Sequence, residues 1–143
     1  NDIPTIDEGN DVLIKVLVGK VKNISSAVQT YSPVSIFDVQ FIKPSLIDLD
    51  ISKNQTVMVY VIDGELKFHD KNQIARKGQM IYFDQSSDMI NLTSISPTGS
   101  YLVLAGQPLN EPIVRYGPFV ANTEGDMKKA MLDYQNGKMG TLS

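Results

Sequence analysis

With 143 residues, 42% hydrophobic and 20% charged, the chain has the size and make-up of one soluble globular domain able to bury a real core. The absence of cysteine removes disulfides, thiolate metal sites and thiol nucleophiles, and a net charge of −3 with a pI of about 5.0 gives no electrostatic case for binding nucleic acid or an anionic membrane. No apolar run approaches the ~20 residues that span a bilayer and no basic-plus-apolar leader is present, so a cytoplasmic protein is expected.

Val12–Val18 is the first predicted strand, ending at Gly19; Lys15 is its only polar residue, so cover on both faces is expected. Lys20–Ser35 is turn-rich, with a short strand expected near Ala27–Tyr31. Ile36–Phe41 alternates, with Phe37, Val39 and Phe41 opposite Asp38 and Gln40. After Lys43-Pro44 the alternation returns, with Ile47, Leu49 and Ile51 opposite Asp48, Asp50 and Ser52. Thr56–Ile62 is apolar without alternation and reads as a strand buried on both faces. Asp63-Gly64 is the strongest hairpin signal, returning into Glu65–His69 with Leu66 and Phe68 inward. Gln73–Ala75, Gln79–Phe83, and a pair formed by Met89–Ile95 and Tyr101–Ala105 around Pro97-Thr98-Gly99 complete the set. Short strands with frequent turns argue an all-β sandwich or small barrel. The tail from Thr123 is a helix: Thr123 caps it, Met127, Ala130, Met131 and Tyr134 form its apolar stripe, and Gly137 ends it.

The candidate chemistry is thin. His69 is the only histidine, so a histidine-rich metal site is excluded by count, and a solvated turn residue is its simpler reading. Asp48 and Asp50 share one strand face and could hold a hard cation with Asp84, although alternation already accounts for them as solvent-facing. Ser86-Ser87-Asp88 has no partner base except His69 and no nucleophile-elbow motif, and glycine-rich phosphate loops are absent. Met58, Tyr60, Tyr82 and Phe83 could line an apolar pocket at a barrel mouth, with ordinary core as the competing reading. The apolar strand Thr56–Ile62 could equally pack against a second barrel.

Gly106–Thr123 reads GQPLNEPIVRYGPFVANT. Its prolines and glycines rule out a continuous helix or a central strand, so a rigid crossing segment is expected. This run resembles the C-terminal half of the pirin family, whose G-x-P-L-x-E-P-V-x-x-G-P-F-V-x-N-T stretch links a cupin barrel to a final helix. Pro108, Asn110, Glu111, Pro112, Tyr116, Gly117, Pro118 and Asn122 carry the signature. For Asn110, Glu111 and Tyr116 a structural role, satisfying backbone groups of the crossing segment, outweighs a ligand surface. Val59–Leu66 followed by Arg76–Phe83 is similar to the cupin motif pair. The resemblance implies an all-β cupin jelly roll with one C-terminal helix, organised as a single domain 1–143 with a barrel body 1–105, a crossing segment 106–122 and a helix 123–137.

A pirin is a bicupin with iron in its N-terminal barrel. Quercetin 2,3-dioxygenase-like activity and transcriptional co-regulation are claimed for the family. The resemblance covers only the second barrel. The slots where a catalytic cupin carries its H-x-H pair and following acid fall on Asp50, Ser52 and Thr56, and no histidine follows between Asp84 and Thr93. No cofactor is therefore expected in this chain. The expected partner is a second cupin barrel, in cis or as a homodimer, and the expected role is that of a structural or regulatory half. The alternative is part of a dioxygenase whose iron lies in a barrel outside this sequence.

Overall fold

Alternating apolar side chains give a strand one dry face, and two such faces must meet to leave water. The computed structural model describes residues 3–9, 11–68, 73–83 and 89–140. The chain forms two compact units, Asn1–Pro108 and Leu109–Ser143.

The first unit contains β1 (Thr5–Asp7), β2 (Val12–Val18), β3 (Lys20–Val21), β4 (Ile24–Ser25), β5 (Val34–Phe41), β6 (Ser45–Asp50), β7 (Thr56–Asp63), β8 (Glu65–Lys67), β9 (Ile74–Arg76), β10 (Met80–Phe83), β11 (Met89–Ser94) and β12 (Gly99–Gly106). A six-stranded sheet runs β1-β2-β5-β12-β7-β10 and a four-stranded sheet runs β6-β11-β8-β9. Their ladders are antiparallel. The dry face of the larger sheet carries Val12, Ile14 and Val16 from β2, Phe37, Val39 and Phe41 from β5, Val57, Val59 and Val61 from β7, and Tyr101, Val103 and Ala105 from β12. It meets Ile47, Leu49, Leu66, Ala75, Ile90 and Leu92 from the smaller sheet in one hydrophobic cluster. Each fully buried Val, Leu or Ile contributes about 1.5–3 kcal/mol relative to an exposed one, so this shared face holds the unit together.

Alternation located the inward residues of β5, β6 and β8 correctly, but several expected pairings differ. Asp63-Gly64 is a corner, not a hairpin: β7 lies in the six-stranded sheet and β8 in the four-stranded one. Gly64 has φ 84°, and a Cβ there would sit 2.7 Å from the Thr98 carbonyl oxygen. β11 and β12 likewise lie in opposite sheets instead of pairing around Pro97-Thr98-Gly99. The physical reason is shared: a period of two shows which face is apolar but not which strand lies beside it. Thr56–Ile62 is not buried on both faces, because Val57, Val59 and Val61 are buried while Met58 and Tyr60 are half-buried and Ile62 is exposed. Nor is there a strand at Ala27–Tyr31. The Ser26 hydroxyl accepts from the Val28 N–H at 3.0 Å, withdrawing that donor from any ladder, and the local pairing joins Lys20–Val21 to Ile24–Ser25 instead.

The second unit holds β13 (Val114–Tyr116), β14 (Phe119–Ala121) and α1 (Glu124–Gln135). β13 and β14 form a hairpin around Gly117-Pro118. Gly117 takes φ 52°, and Pro118 follows with its ring-fixed φ, as a type II′ turn requires. The reading of Gly106–Thr123 as a rigid crossing segment without a central strand did not include this short ladder. Thr123 caps α1, its hydroxyl accepting from the Asp126 N–H at 3.1 Å. At the other end Gly137 N–H donates to the Tyr134 carbonyl at 3.0 Å and Lys138 N–H to that of Asp133 at 2.8 Å, a Schellman closure. Of the expected stripe only Met127 is buried; Ala130 and Met131 are half-buried, and the exposed Tyr134 lies edge-on to Phe119 at 5.6 Å.

Candidate functional site

A cupin-type site would lie between the sheets, so the interior donors come first. Tyr101 of β12 and Ser94 of β11 are 0% and 1% exposed. The Tyr101 hydroxyl donates to the Glu65 carbonyl at 2.9 Å and lies 2.9 Å from the Ser94 hydroxyl, from which it accepts. Phe41 meets the Tyr101 ring edge-on at 5.5 Å. Burial pushes the Tyr101 phenol above its ordinary pKa of 10.0, with Ser94 partly offsetting that rise. A Cβ at Gly99 would sit 2.7 Å from the ring carbon Cζ of Tyr101, so the ring fits only because that position is bare. Ser96 completes the corner, its hydroxyl accepting from the Glu65 N–H at 2.6 Å. The polar groups are already satisfied by one another, which makes the knot a fastening between β8, β11 and β12.

The sequence-derived candidates lie elsewhere. Asp48 and Asp50 are exposed on the outer face of β6, opposite the inward Ile47 and Leu49. Asp48 accepts a hydrogen bond from Asn91 on the neighbouring β11. Asp84, His69, Ser86, Ser87 and Asp88 lie outside the described residues. Among the described residues no group of three or more His, Cys, Asp or Glu side chains is placed to hold a metal ion. The slots at Asp50 and Ser52 are exposed, and the inward residues of that run are Leu49 and Ile51.

The four proposed pocket residues do not converge. Phe83 is paired with Val57 and packs toward the core, edge-on to Phe68 at 5.5 Å. Met58, Tyr60 and Tyr82 share the opposite, outer face. A strand cannot send neighbouring side chains to one side, and Tyr82 and Phe83 are neighbours.

That outer face is the feature the sequence signalled only indirectly. Across the ladders Ile36, Leu104, Met58 and Tyr82 form one row, and Asp38, Leu102, Tyr60 and Met80 the next. Lys15 stands 3.8 Å from Asp38, whose carboxylate also accepts from Gln40 at 2.9 Å. Ile36, Met58 and Leu104 line a shallow groove of about 350 Å³ that ends at Pro108. In the second unit, Asn110 has φ 54°, Glu111 accepts from the Asn122 amide, and Pro112 and the 62%-exposed Tyr116 stand at the surface. The described partner of Glu111 is thus a side chain, where a backbone donor was expected.

Residues 36–140 match the sequence profile of the pirin C-terminal cupin domain. The chain belongs to the pirin C-terminal cupin domain family. Pirin-1 from Arabidopsis thaliana is 32% identical over 142 residues, covering 97% of this chain and 49% of that protein. Pirin from Rattus norvegicus is 32% identical over 132 residues, covering 90% of this chain and 45% of its own length. Among solved structures, quercetin 2,3-dioxygenase from Acinetobacter baumannii superposes with a TM-score of 0.83 at 31% identity, over 99% of this chain and 49% of that one. The chain therefore spans about half the length of the curated relatives it matches. The cupin architecture agrees with the two larger antiparallel sheets and with the helix Glu124–Gln135.

Iron in a cupin calls for imidazole and carboxylate donors. Among the described residues the interior offers the hydroxyls of Ser94 and Tyr101, engaged with each other and with a backbone carbonyl. These residues do not fit the metal. Among the described residues no helix is long and apolar enough to cross a membrane.

Proposed function

We propose that this chain is a metal-free, non-catalytic cupin half that acts by contact, laying the outer face of its six-stranded sheet against a second cupin barrel. The observation that carries the reading is the exchange of roles between the two faces of the fold. Leu49 and Ile51 occupy the inward positions near the expected ligand slots, while Ile36, Met58, Tyr60, Leu102 and Leu104 form an apolar surface outside. The half-length match to pirins supports a missing second barrel as the occupant. The test is metal content by mass spectrometry on the untagged chain, followed by titration with the N-terminal half of a pirin. Substoichiometric Fe, Mn, Ni, Cu or Zn together with saturable binding is expected. A full equivalent of tightly held metal, or no binding, overturns the reading.

A second reading rests on the similarity to quercetin 2,3-dioxygenase from Acinetobacter baumannii. The chain would then be the accessory half of such an enzyme, with iron held by the other barrel. It predicts no flavonol turnover by this chain alone and turnover once the other half is restored.

A further inference from the structure

A sheet edge presents a row of open backbone N–H and C=O groups, which proteins guard with charge, proline or bulges. Among the described residues the two larger sheets of the first unit have four edges: β1 and β10 end the six-stranded sheet, and β6 and β9 end the four-stranded one. Three of them carry guards. Each has its charge within the strand itself, Asp7 in β1, Asp48 and Asp50 in β6, and Arg76 in β9. β10 is Met80-Ile81-Tyr82-Phe83, with no charge and no proline. Among the described residues no strand pairs with its far edge. Ile81 and Phe83 pack on the core, while Met80 and Tyr82 are 56% and 65% exposed and terminate two rows of the outer face.

The same lack of charge selects the partner. When identical strands pair about a two-fold axis, every charge on one is repeated on the other. Self-pairing of β6 would set carboxylates of two copies along one short ladder, and self-pairing of β9 would do the same with guanidinium groups, which is unfavourable. Self-pairing of β10 opposes only neutral side chains, and it covers Met80 and Tyr82 as well as the open backbone.

We propose that two copies of this chain join edge to edge through β10, antiparallel about a two-fold axis, so that two six-stranded sheets run on as one. The proposal goes beyond the docking of a different barrel, since it concerns a strand edge and a second copy. Light scattering on the purified chain is expected to give twice 15.8 kDa at high concentration, and 15.8 kDa once Tyr82→Lys guards the edge. The chain has no cysteine, so single-cysteine variants report cleanly. Oxidation is expected to link Met80→Cys or Tyr82→Cys into a dimer and to leave Thr5→Cys, on the far edge, monomeric. A monomer at every concentration overturns the proposal. So does a dimer that ignores Tyr82→Lys, a cross-link at Thr5→Cys, or no cross-link at either β10 position. None of these outcomes touches metal content or binding of a pirin N-terminal half, so the two readings fail separately.

Discussion

A phenol taken out of water costs roughly 1–3 kcal/mol when its hydroxyl finds no partner. Tyr101 avoids that cost through the Glu65 carbonyl and the Ser94 hydroxyl. Tyr101→Phe would leave both groups in a dry corner with one partner fewer, so a loss of about 1–3 kcal/mol is expected in urea unfolding. The same phenol sets a pH dependence. Its folded pKa is raised above the ordinary 10.0, mainly by burial, so its stabilising contribution is complete below pH 10.0 and is lost as pH climbs through the folded value. Alkaline unfolding of the wild type should therefore set in above pH 10, and Tyr101→Phe should flatten that limb of the curve. An unchanged alkaline limb would show that this phenol does not govern it. Nothing at the level of the residue announced this role: alternation with Val103 and Ala105 turned Tyr101 inward, but Glu65 lies 36 positions away and only folding brings it near.

At the scale of elements, the best-read feature is the C-terminal helix, whose signals are all local. Thr123, the acidic first turn and Gly137 act on backbone groups within a few positions, so the sequence shows them directly. Thr123→Ala is expected to cost about 1 kcal/mol of local stability. Amide hydrogen exchange over Glu124–Gln135 should quicken accordingly, with the amides of β5 and β12 unchanged. Faster exchange in both places would mean that the two compact units unfold together. The corners at Gly64 and at Pro97–Gly99 were the hardest elements to read. A tight Asp-Gly turn is compatible with a hairpin and with a step between sheets, and the long-range pairing of β7 with β10 and β12, and of β8 with β9 and β11, decides for the step. The pocket candidates failed for a related reason, because composition grouped Tyr82 with Phe83 where the pleat sends them to opposite faces.

At the scale of the molecule, the face opposite the core is where function is proposed. Leu104 is half-buried in the middle of it, next to Ile36 and Met58. Leu104→Asp should leave the fold intact by circular dichroism, because its side chain points away from the core. It should weaken binding of a pirin N-terminal half at least tenfold, about 1.4 kcal/mol, because a carboxylate would have to leave water. Binding that is unaltered would place the contact elsewhere.

The sequence by itself determined the class of fold, the helix with its caps, the inward residues of the alternating strands and, through Gly106–Thr123, the family. It also ruled out a histidine-rich metal centre by counting one histidine. These properties depend on composition or on neighbours within a few residues. Only the tertiary structure decided which strands share a sheet, that Asp63-Gly64 is a corner, and that Thr56–Ile62 leaves Met58 and Tyr60 on an outer face. Those outcomes depend on pairing between distant segments, and a period of two leaves the choice of partner open.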